Sequence, residues 1–274
     1  MPYYIIIYLM KLLYFSHSYK YIKKFNEIIS TFLSTLGDIT LYGIEIFKYI
    51  FTGQVNFQEL MYQCYRFGVV SLPITLSIVG MTSIIVAMQV AGEMVKQGGG
   101  NYVGMLVAIL IVREVGVIMS GFAIISMIGS SMASEIATMR VTEQIDALRV
   151  LKVSPIRYLF VPRVLAGALM MPLVVIIASL FGVVGGGVAS NLVSELSYRA
   201  FFTSVWSGLN IHDMNVCLLK AVSFGFTIAL ISCACGYKAS GGAKGVGVAT
   251  TRSVVWSFIA IVILDLIFAL AFFF

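Results

Sequence analysis

The chain has 274 residues, of which 60% are hydrophobic and only 11% are Asp, Glu, Lys or Arg. Because a soluble domain usually carries about 25% charged residues, this composition excludes an ordinary soluble protein and predicts an integral membrane protein. The net charge of +6 indicates orientation signals and contact with anionic lipid headgroups, not a nucleic-acid partner. Only two histidines are present, so we predict no metal site and no catalytic residue.

Residues 1–30 form an N-terminal extension in which aromatic residues interleave with lysines, as expected in the headgroup layer. The extension has no basic residue before its apolar run and no small-residue cleavage site after it, unlike a signal peptide. Residues 33–53 (LSTLGDITLYGIEIFKYIFTG) then carry apolar residues at helical spacing, interrupted by Asp38, Glu45 and Lys48. This pattern predicts an amphipathic helix that lies in the interface.

Five later segments reach the roughly 20 apolar residues that a helix needs to cross the hydrocarbon core. They are residues 67–90, 103–129, 158–189, 216–236 and 254–274. The third ends in a glycine-rich run, Gly182 and Gly185–Gly187, which predicts close helix packing. The predicted fold is therefore an all-α membrane protein with one interfacial helix and five transmembrane helices.

Basic residues predict the orientation of these spans. Fourteen of them precede the first span or lie in the second-to-third and fourth-to-fifth connections, whereas only two, Lys96 and Arg199, lie on the other side. By the positive-inside rule the N-terminus is cytoplasmic and the C-terminus is periplasmic. A bacterial inner membrane is favoured over a plastid inner envelope, since no Ser/Arg-rich transit segment precedes the first span.

The connection between spans two and three is unusually charged. It contains the stretch Ser134–Pro155, SEIATMRVTEQIDALRVLKVSP. We predict a short cytoplasmic helix over residues 142–152, with Thr142 as its N-cap and an end before Pro155. Its acids fall in the first turn, its bases in the last turn, and its apolar stripe is Val141, Ile145 and Leu148. Such a helix is either a solvated connector or a docking helix for a soluble partner.

Four charged residues lie inside the apolar spans: Arg113, Glu114, Lys220 and Asp265. Each costs about 2.5–3.5 kcal/mol at the centre of a membrane helix, so each is expected to have a partner. They either pair with one another and fix the bundle, or form a polar patch that faces a cavity. Arg113 and Glu114 point about 100° apart on a helix, which predicts separate partners. Lys220, near the outer end of its span, is alternatively expected to reach the interface.

Several linked motifs resemble the MlaE-type permease family, the membrane subunits of ABC transporters that move phospholipid between membranes. The longest is SEIATMRVTEQIDALRVLKVSPIRYLFVPRVLAG; GMLVAILIVREVG precedes it, and LLKAVSFGF, GVATTRSVV and ILDLIFAL follow. The resemblance covers residues 33 to the C-terminus, and it defines a permease domain of residues 31–274.

The resemblance assigns roles to three groups of residues. It implies that the charged insert is a coupling helix seated on a cytoplasmic ATPase, and that charged residues belong at the four intramembrane positions. It also implies a lipid cavity between two copies of the chain, although an apolar stripe of this kind is more often ordinary helix packing. The coupling contacts would be Glu143, Gln144, Asp146 and Arg149, and the cavity would be lined by Val86, Gln89, Val90 and Met94.

The resemblance further implies a homodimer, two ATPase subunits that hold ATP and Mg, a periplasmic MCE-domain lipid-binding protein and often a STAS-domain protein. In agreement, the chain has no GxxxxGK[ST] motif, so we expect it to bind no cofactor itself. The tract SGGAKGVGVATT has the wrong spacing and is predicted to be a flexible cytoplasmic connector. Two other functions stay open: a proton-coupled secondary transporter using Glu114 or Asp265, and a membrane scaffold that recruits a soluble partner. No internal repeat supports the first of these.

Overall fold

The computed structural model describes residues 37, 40–50 and 55–273. The predicted extension 1–30, the remaining residues of the predicted interfacial helix and Phe274 lie outside these ranges. The chain divides into a unit ending at Ile44 and a main unit, Glu45–Phe274. Residues 40–50 are helical, as predicted for an interfacial helix. In the main unit Ile46 is fully buried, and the ring of Phe47 stacks on Phe226 with 5.5 Å between centroids.

The described part of the main unit is helical and contains no strand, which confirms the predicted fold class. Its helices are α1 (Phe57–Lys96), α2 (Gly100–Val141), α3 (Gln144–Val150), α4 (Ile156–Ser194), α5 (Tyr198–Gly208), α6 (Ile211–Tyr237) and α7 (Gly242–Phe272). Five of these, α1, α2, α4, α6 and α7, are long and apolar enough to cross a membrane, and they contain the five predicted spans. We call the end of the bundle that carries α3 the insert end.

The long helices extend well beyond the apolar segments found in the sequence. They contain 27 to 42 residues, so at 1.5 Å per residue they are about 40–63 Å long, against a hydrocarbon core of about 30 Å. Three π-helical turns interrupt them, at Arg66–Val70, Ile111–Val115 and Ile125–Gly129, and a fourth, Ile156–Phe160, begins α4. Such turns are rare and often occur at functional sites.

Glycines bring α4 close to its neighbours. A Cβ on Gly167 of α4 would lie 2.5 Å from the carbonyl oxygen of Gly225 on α6, and a Cβ on Gly225 would overlap the Gly167 carbonyl. The glycine-rich run predicted for close packing lies further along α4, where Gly182 faces Ser83 of α1 and Gly187 faces Phe201 of α5. The packing prediction for this run is therefore confirmed.

The glycine-containing tract after α6 differs from its prediction. Instead of a flexible connector, its residues from Gly242 onward form the first turns of α7. Gly241 and Gly242 have φ values of 90° and 68°, a left-handed conformation in which glycine carries little strain. Ala249 is then buried against Ala137 and Ala239, and this packing outweighs the weak helix propensity of the neighbouring glycines. Helix α5, which was not predicted from the sequence, is capped by Ser197 and buries Phe201.

Candidate functional site

The predicted intramembrane charges meet where α2, α6 and α7 come together. The Lys220 ammonium lies 3.1 Å from a Glu114 carboxylate oxygen and 2.9 Å from an Asp265 carboxylate oxygen. It also donates a hydrogen bond of 3.0 Å to the backbone carbonyl of Arg113. The Lys220 side chain is fully buried, so the prediction that it reaches the interface is wrong: an ammonium with three acceptors at hand gains nothing from extending to water.

Arg113 pairs with an acid that the sequence analysis did not single out. Its guanidinium lies 2.8 Å from the Asp213 carboxylate, and Asp213 is only 1% exposed. Asp213 also closes a capping box with Asn210 at the start of α6. The ring of Phe273 covers the guanidinium at 4.4 Å. Arg113 and Glu114 therefore have separate partners, as predicted.

We call Arg113, Glu114, Asp213, Lys220 and Asp265 the ionic cluster. Two of its members, Arg113 and Glu114, lie in the π-helical turn Ile111–Val115. With all five groups ionised the cluster carries one net negative charge, because three acids face two bases. Because Lys220 of α6 bonds to Glu114 and the Arg113 carbonyl of α2 and to Asp265 of α7, the cluster couples the relative positions of these three helices.

A second set of ion pairs joins α1, α2 and α4 nearer the insert end. Glu135 of α2 accepts hydrogen bonds from Arg66 at 2.5 Å and from Arg163 at 3.4 Å. Arg163 is buried and also lies 3.8 Å from Glu59. Both arginines are among the fourteen basic residues that predict the orientation, and both lie within long helices: Arg66 lies in α1 one residue before the first predicted span, and Arg163 lies in α4 near the start of the third.

The charged insert forms a helix that is shorter than predicted. Thr142 is the C-cap of α2, and its hydroxyl donates to the Thr138 carbonyl at 2.9 Å, so the prediction of Thr142 as N-cap is wrong. The reason is that α2 continues without a break to Val141, so that its own end occupies this position. The N-cap of α3 is Glu143, at a φ of 60°. The chain leaves the helix before Lys152, which has a φ of 58°.

Side-chain bonds tie α3 to two other helices. Asp146 accepts from Arg140 of α2 at 2.7 Å and from Arg149 at 3.2 Å. Arg149 donates to the Tyr237 hydroxyl, at the last residue of α6, at 2.5 Å. Ile145 is fully buried beneath the helix. Thus two of the four predicted coupling residues, Asp146 and Arg149, make bonds within the chain while remaining about half exposed.

The outer surface of α3 exposes both polar and apolar groups. Glu143 and Gln144, the other two predicted coupling residues, are exposed. Val150 and Leu151, at its C-terminal end, are 83% and 71% exposed. We call these two apolar residues the insert tip. A helix anchored by Ile145 and presenting an exposed apolar tip has the form of a docking element.

The residues predicted to line a lipid cavity lie on α1. Val90 and Met94 pack against the core formed by α1, α2, α4 and α5, Val86 is partly buried, and Gln89 is exposed. Beside them Ile85 is 55% exposed to the surroundings of the chain. The predicted lipid cavity lies between two copies of the chain, and one copy cannot show it. The lipid-binding role of these four residues therefore stays a prediction.

The helices and these two sites define a multi-pass membrane protein with a buried ionic cluster and a short charged helix with an exposed apolar tip at one end. Residues 60–271 match the family model of permease MlaE, and the chain belongs to that family. It is 37% identical over 219 residues to a probable ABC transporter permease protein of Synechocystis, covering 80% of this chain and 83% of that protein. It is 35% identical over 232 residues to one of Rickettsia typhi, with coverages of 85% and 90%. A third, from Porphyra purpurea, is 36% identical over 236 residues, with coverages of 86% and 86%. The chain is thus a transporter permease subunit and not an enzyme.

Proposed function

We propose that this chain is the membrane subunit of an ATP-driven ABC transporter that moves phospholipids between the inner and outer membranes and so supports outer-membrane lipid asymmetry. It would act as a homodimer in a bacterial inner membrane, with the N-terminus cytoplasmic and the C-terminus periplasmic. ATP and Mg would be held by separate cytoplasmic ATPase subunits. Family membership and the named relatives support the permease assignment; the phospholipid substrate rests on the motif resemblance.

The observation that carries the proposal is the insert tip. Val150 and Leu151 are exposed at the end of a helix whose Asp146 and Arg149 are already bonded to α2 and α6. Covering exposed apolar side chains with a partner removes them from water and so stabilises the complex. We assign the ATPase as that partner, with Glu143 and Gln144 forming polar contacts around the tip.

The ionic cluster has a different role in this proposal. It would hold α2, α6 and α7 in register during the cycle, while phospholipid binds between two copies of the chain near Val86, Gln89, Val90 and Met94. Partners at the periplasmic side would be an MCE-domain lipid-binding protein, with a STAS-domain protein bound on the cytoplasmic side. In a proton-coupled transporter Glu114 or Asp265 would exchange protons, but the shared ion pairs with Lys220 favour a structural role for both acids.

Substitution of the tip tests the docking assignment. We expect Val150→Ser with Leu151→Ser to lower co-purification of the ATPase by at least about tenfold, because full burial of each side chain is worth about 1.5–3 kcal/mol. A matched control is Leu192→Ser, which removes an apolar side chain that is 77% exposed at the opposite end of α4. Equal ATPase recovery from the tip variant and the wild type would contradict the docking role.

Native mass spectrometry of the unmodified complex tests the rest of the proposal. We expect two copies of this chain, two ATPase subunits and bound phospholipid. A chain that stays folded with neither ATPase nor lipid would instead favour the scaffold or secondary-transporter function.

A further inference from the structure

A basic cavity lies at the insert end, between the end of α6 and the start of α7. Its volume is about 260 Å³, and it is lined by Lys238, Ser240, Lys244 and Arg252 together with small and apolar residues. No acidic residue lines it, and among the described residues Lys244 and Arg252 have no acidic partner. Lys244 and Arg252 would repel each other across this concave surface, so an anion in the cavity would stabilise them.

The cavity continues into a shallow apolar groove whose lining residues all lie on one face of α7. The groove shares Lys244, Val248 and Arg252 with the cavity and extends past Val255 to Trp256. A molecule that filled both would need a negative charge at one end and an apolar chain at the other. A phospholipid has this form, whereas a soluble anion would use only the basic part.

The length of α7 places the cavity at the level of the lipid headgroups. The 20 residues from Ser253 to Phe272 extend about 30 Å, which equals the thickness of the hydrocarbon core. Arg252 then lies at the boundary of the core, and the backbone of Lys244 lies about 12 Å farther along α7, on the aqueous side of the headgroups, which its long side chain can reach. Trp256 lies one turn deeper, where tryptophan is enriched in membrane proteins.

We propose that this cavity binds the phosphate of an anionic phospholipid from the leaflet at the insert end, with one acyl chain in the groove beside Trp256. Basic pockets between membrane helices are known to take anionic headgroups in this way. Along α7 the cavity's cations lie about 30 Å (Lys244) and about 20 Å (Arg252) from Asp265, since they precede it by 21 and 13 positions. The cavity is therefore distinct from the ionic cluster, and none of its lining residues is among those proposed to line the transport cavity. It does not depend on the direction or substrate of transport.

Quenching of Trp256 by brominated lipid tests the site directly. The chain has two tryptophans, and Trp206 lies on α5, which begins and ends at the opposite end of the bundle, so Trp206→Phe leaves Trp256 as the only reporter. The full-length variant is placed in phosphatidylcholine vesicles that contain a few mole per cent of brominated phosphatidylglycerol or brominated phosphatidylcholine. We expect stronger quenching by the anionic lipid at equal mole fraction.

Charge-removing variants then define the site. Lys244→Gln with Arg252→Gln should raise the mole fraction of brominated phosphatidylglycerol needed for half-quenching about 25-fold, at roughly fivefold per cation. Lys244→Arg keeps the positive charge and should therefore keep most of the quenching that Lys244→Gln loses. That result would also show that position 244 tolerates substitution. Arg157→Gln, which removes an exposed cation at the same end outside the cavity, should change little.

Three results would overturn the proposal. One is equal quenching by the two brominated lipids. Another is an equal loss of quenching by brominated phosphatidylglycerol in the double variant and in Arg157→Gln, since an equal loss would reflect the general surface charge of this end and not the cavity. The third concerns the source of the phosphate: millimolar inorganic phosphate that abolishes the excess quenching, when sodium chloride of matched ionic strength does not, would show that the cavity takes free phosphate and not a lipid.

Discussion

The most informative single substitution is Lys220→Met. Methionine keeps the length of the side chain and removes the charge. The change leaves Glu114 and Asp265 facing each other without the ammonium that lies 3.1 Å from one and 2.9 Å from the other. Two carboxylates in a low-dielectric site repel each other, and neither regains water as a substitute.

The size of the effect follows from the burial of the group. Removing one partner of a buried ion pair costs about 3–5 kcal/mol, and Lys220 is fully buried. At about 2–4 °C per kcal/mol for a chain of this size, the unfolding midpoint should fall by about 6–20 °C. Lys96→Met is the matched control, because the ion pair of Lys96 with Glu93 is exposed, with side chains 73% and 68% accessible. Exposed pairs contribute only about 0–1 kcal/mol.

Thermal unfolding of the detergent-solubilised protein, followed by size-exclusion chromatography after heating, measures both variants. The triple variant Lys220→Met, Glu114→Gln, Asp265→Asn supplies the second half of the test. Because it contains no unpaired charge, it should recover much of the lost stability. A Lys220→Met midpoint within about 2 °C of the wild type, or a triple variant no more stable than the single one, would refute the interpretation of the cluster as a set of mutually dependent ion pairs.

One further prediction uses the unfolding midpoint again, and another uses the yield of purified protein. Asp213→Asn should lower the unfolding midpoint, since it removes a charge-assisted hydrogen bond worth about 1.5–3 kcal/mol, whereas Asp213→Ala should lower it further by also removing the capping box; equal midpoints for the two variants would contradict a capping contribution. Gly225→Val should reduce the yield of monodisperse protein, because its side chain would overlap the backbone of α4. By contrast, Gly247→Ala meets no atom within 4 Å and should raise stability by about 0.5–1 kcal/mol; similar yields for the two glycine variants would contradict the close approach of α4 and α6.

The number of spans could be predicted from the sequence because hydrophobicity alone decides which segments enter a membrane. Their ends could not, because helical hydrogen bonding does not stop where the apolar residues stop. Helix α2 continues through the polar residues Ser130–Val141, and this extension displaced the predicted N-cap at Thr142. The start of α7 was missed for a related reason: the burial of Ala249 is a tertiary effect that local glycine content hides.

The ionic cluster could be predicted in part. A charge inside an apolar span requires a partner, and that argument identified four of its five members. The partners themselves depend on the rotation of each helix, and the π-helical turn at Ile111–Val115 shifts the direction of side chains relative to an ordinary helix. Asp213 was missed because an acid near the end of an apolar segment is usually solvated. The N-x-x-D spacing from Asn210 was the signal that could have indicated its place inside the helix.

The attachments of α3 have a mechanical consequence. The main chain joins this seven-residue helix to α2 at one end and to α4 at the other, and the bond from Arg149 to Tyr237 adds α6. The two junctions turn at Glu143 and Lys152, which are not glycines, so each has a stiffer backbone than a glycine hinge would give. A force applied to α3 is therefore transmitted to three of the five membrane-spanning helices, α2, α4 and α6, at the same time. Through α2 and α6 it also reaches two of the three helices that hold the ionic cluster.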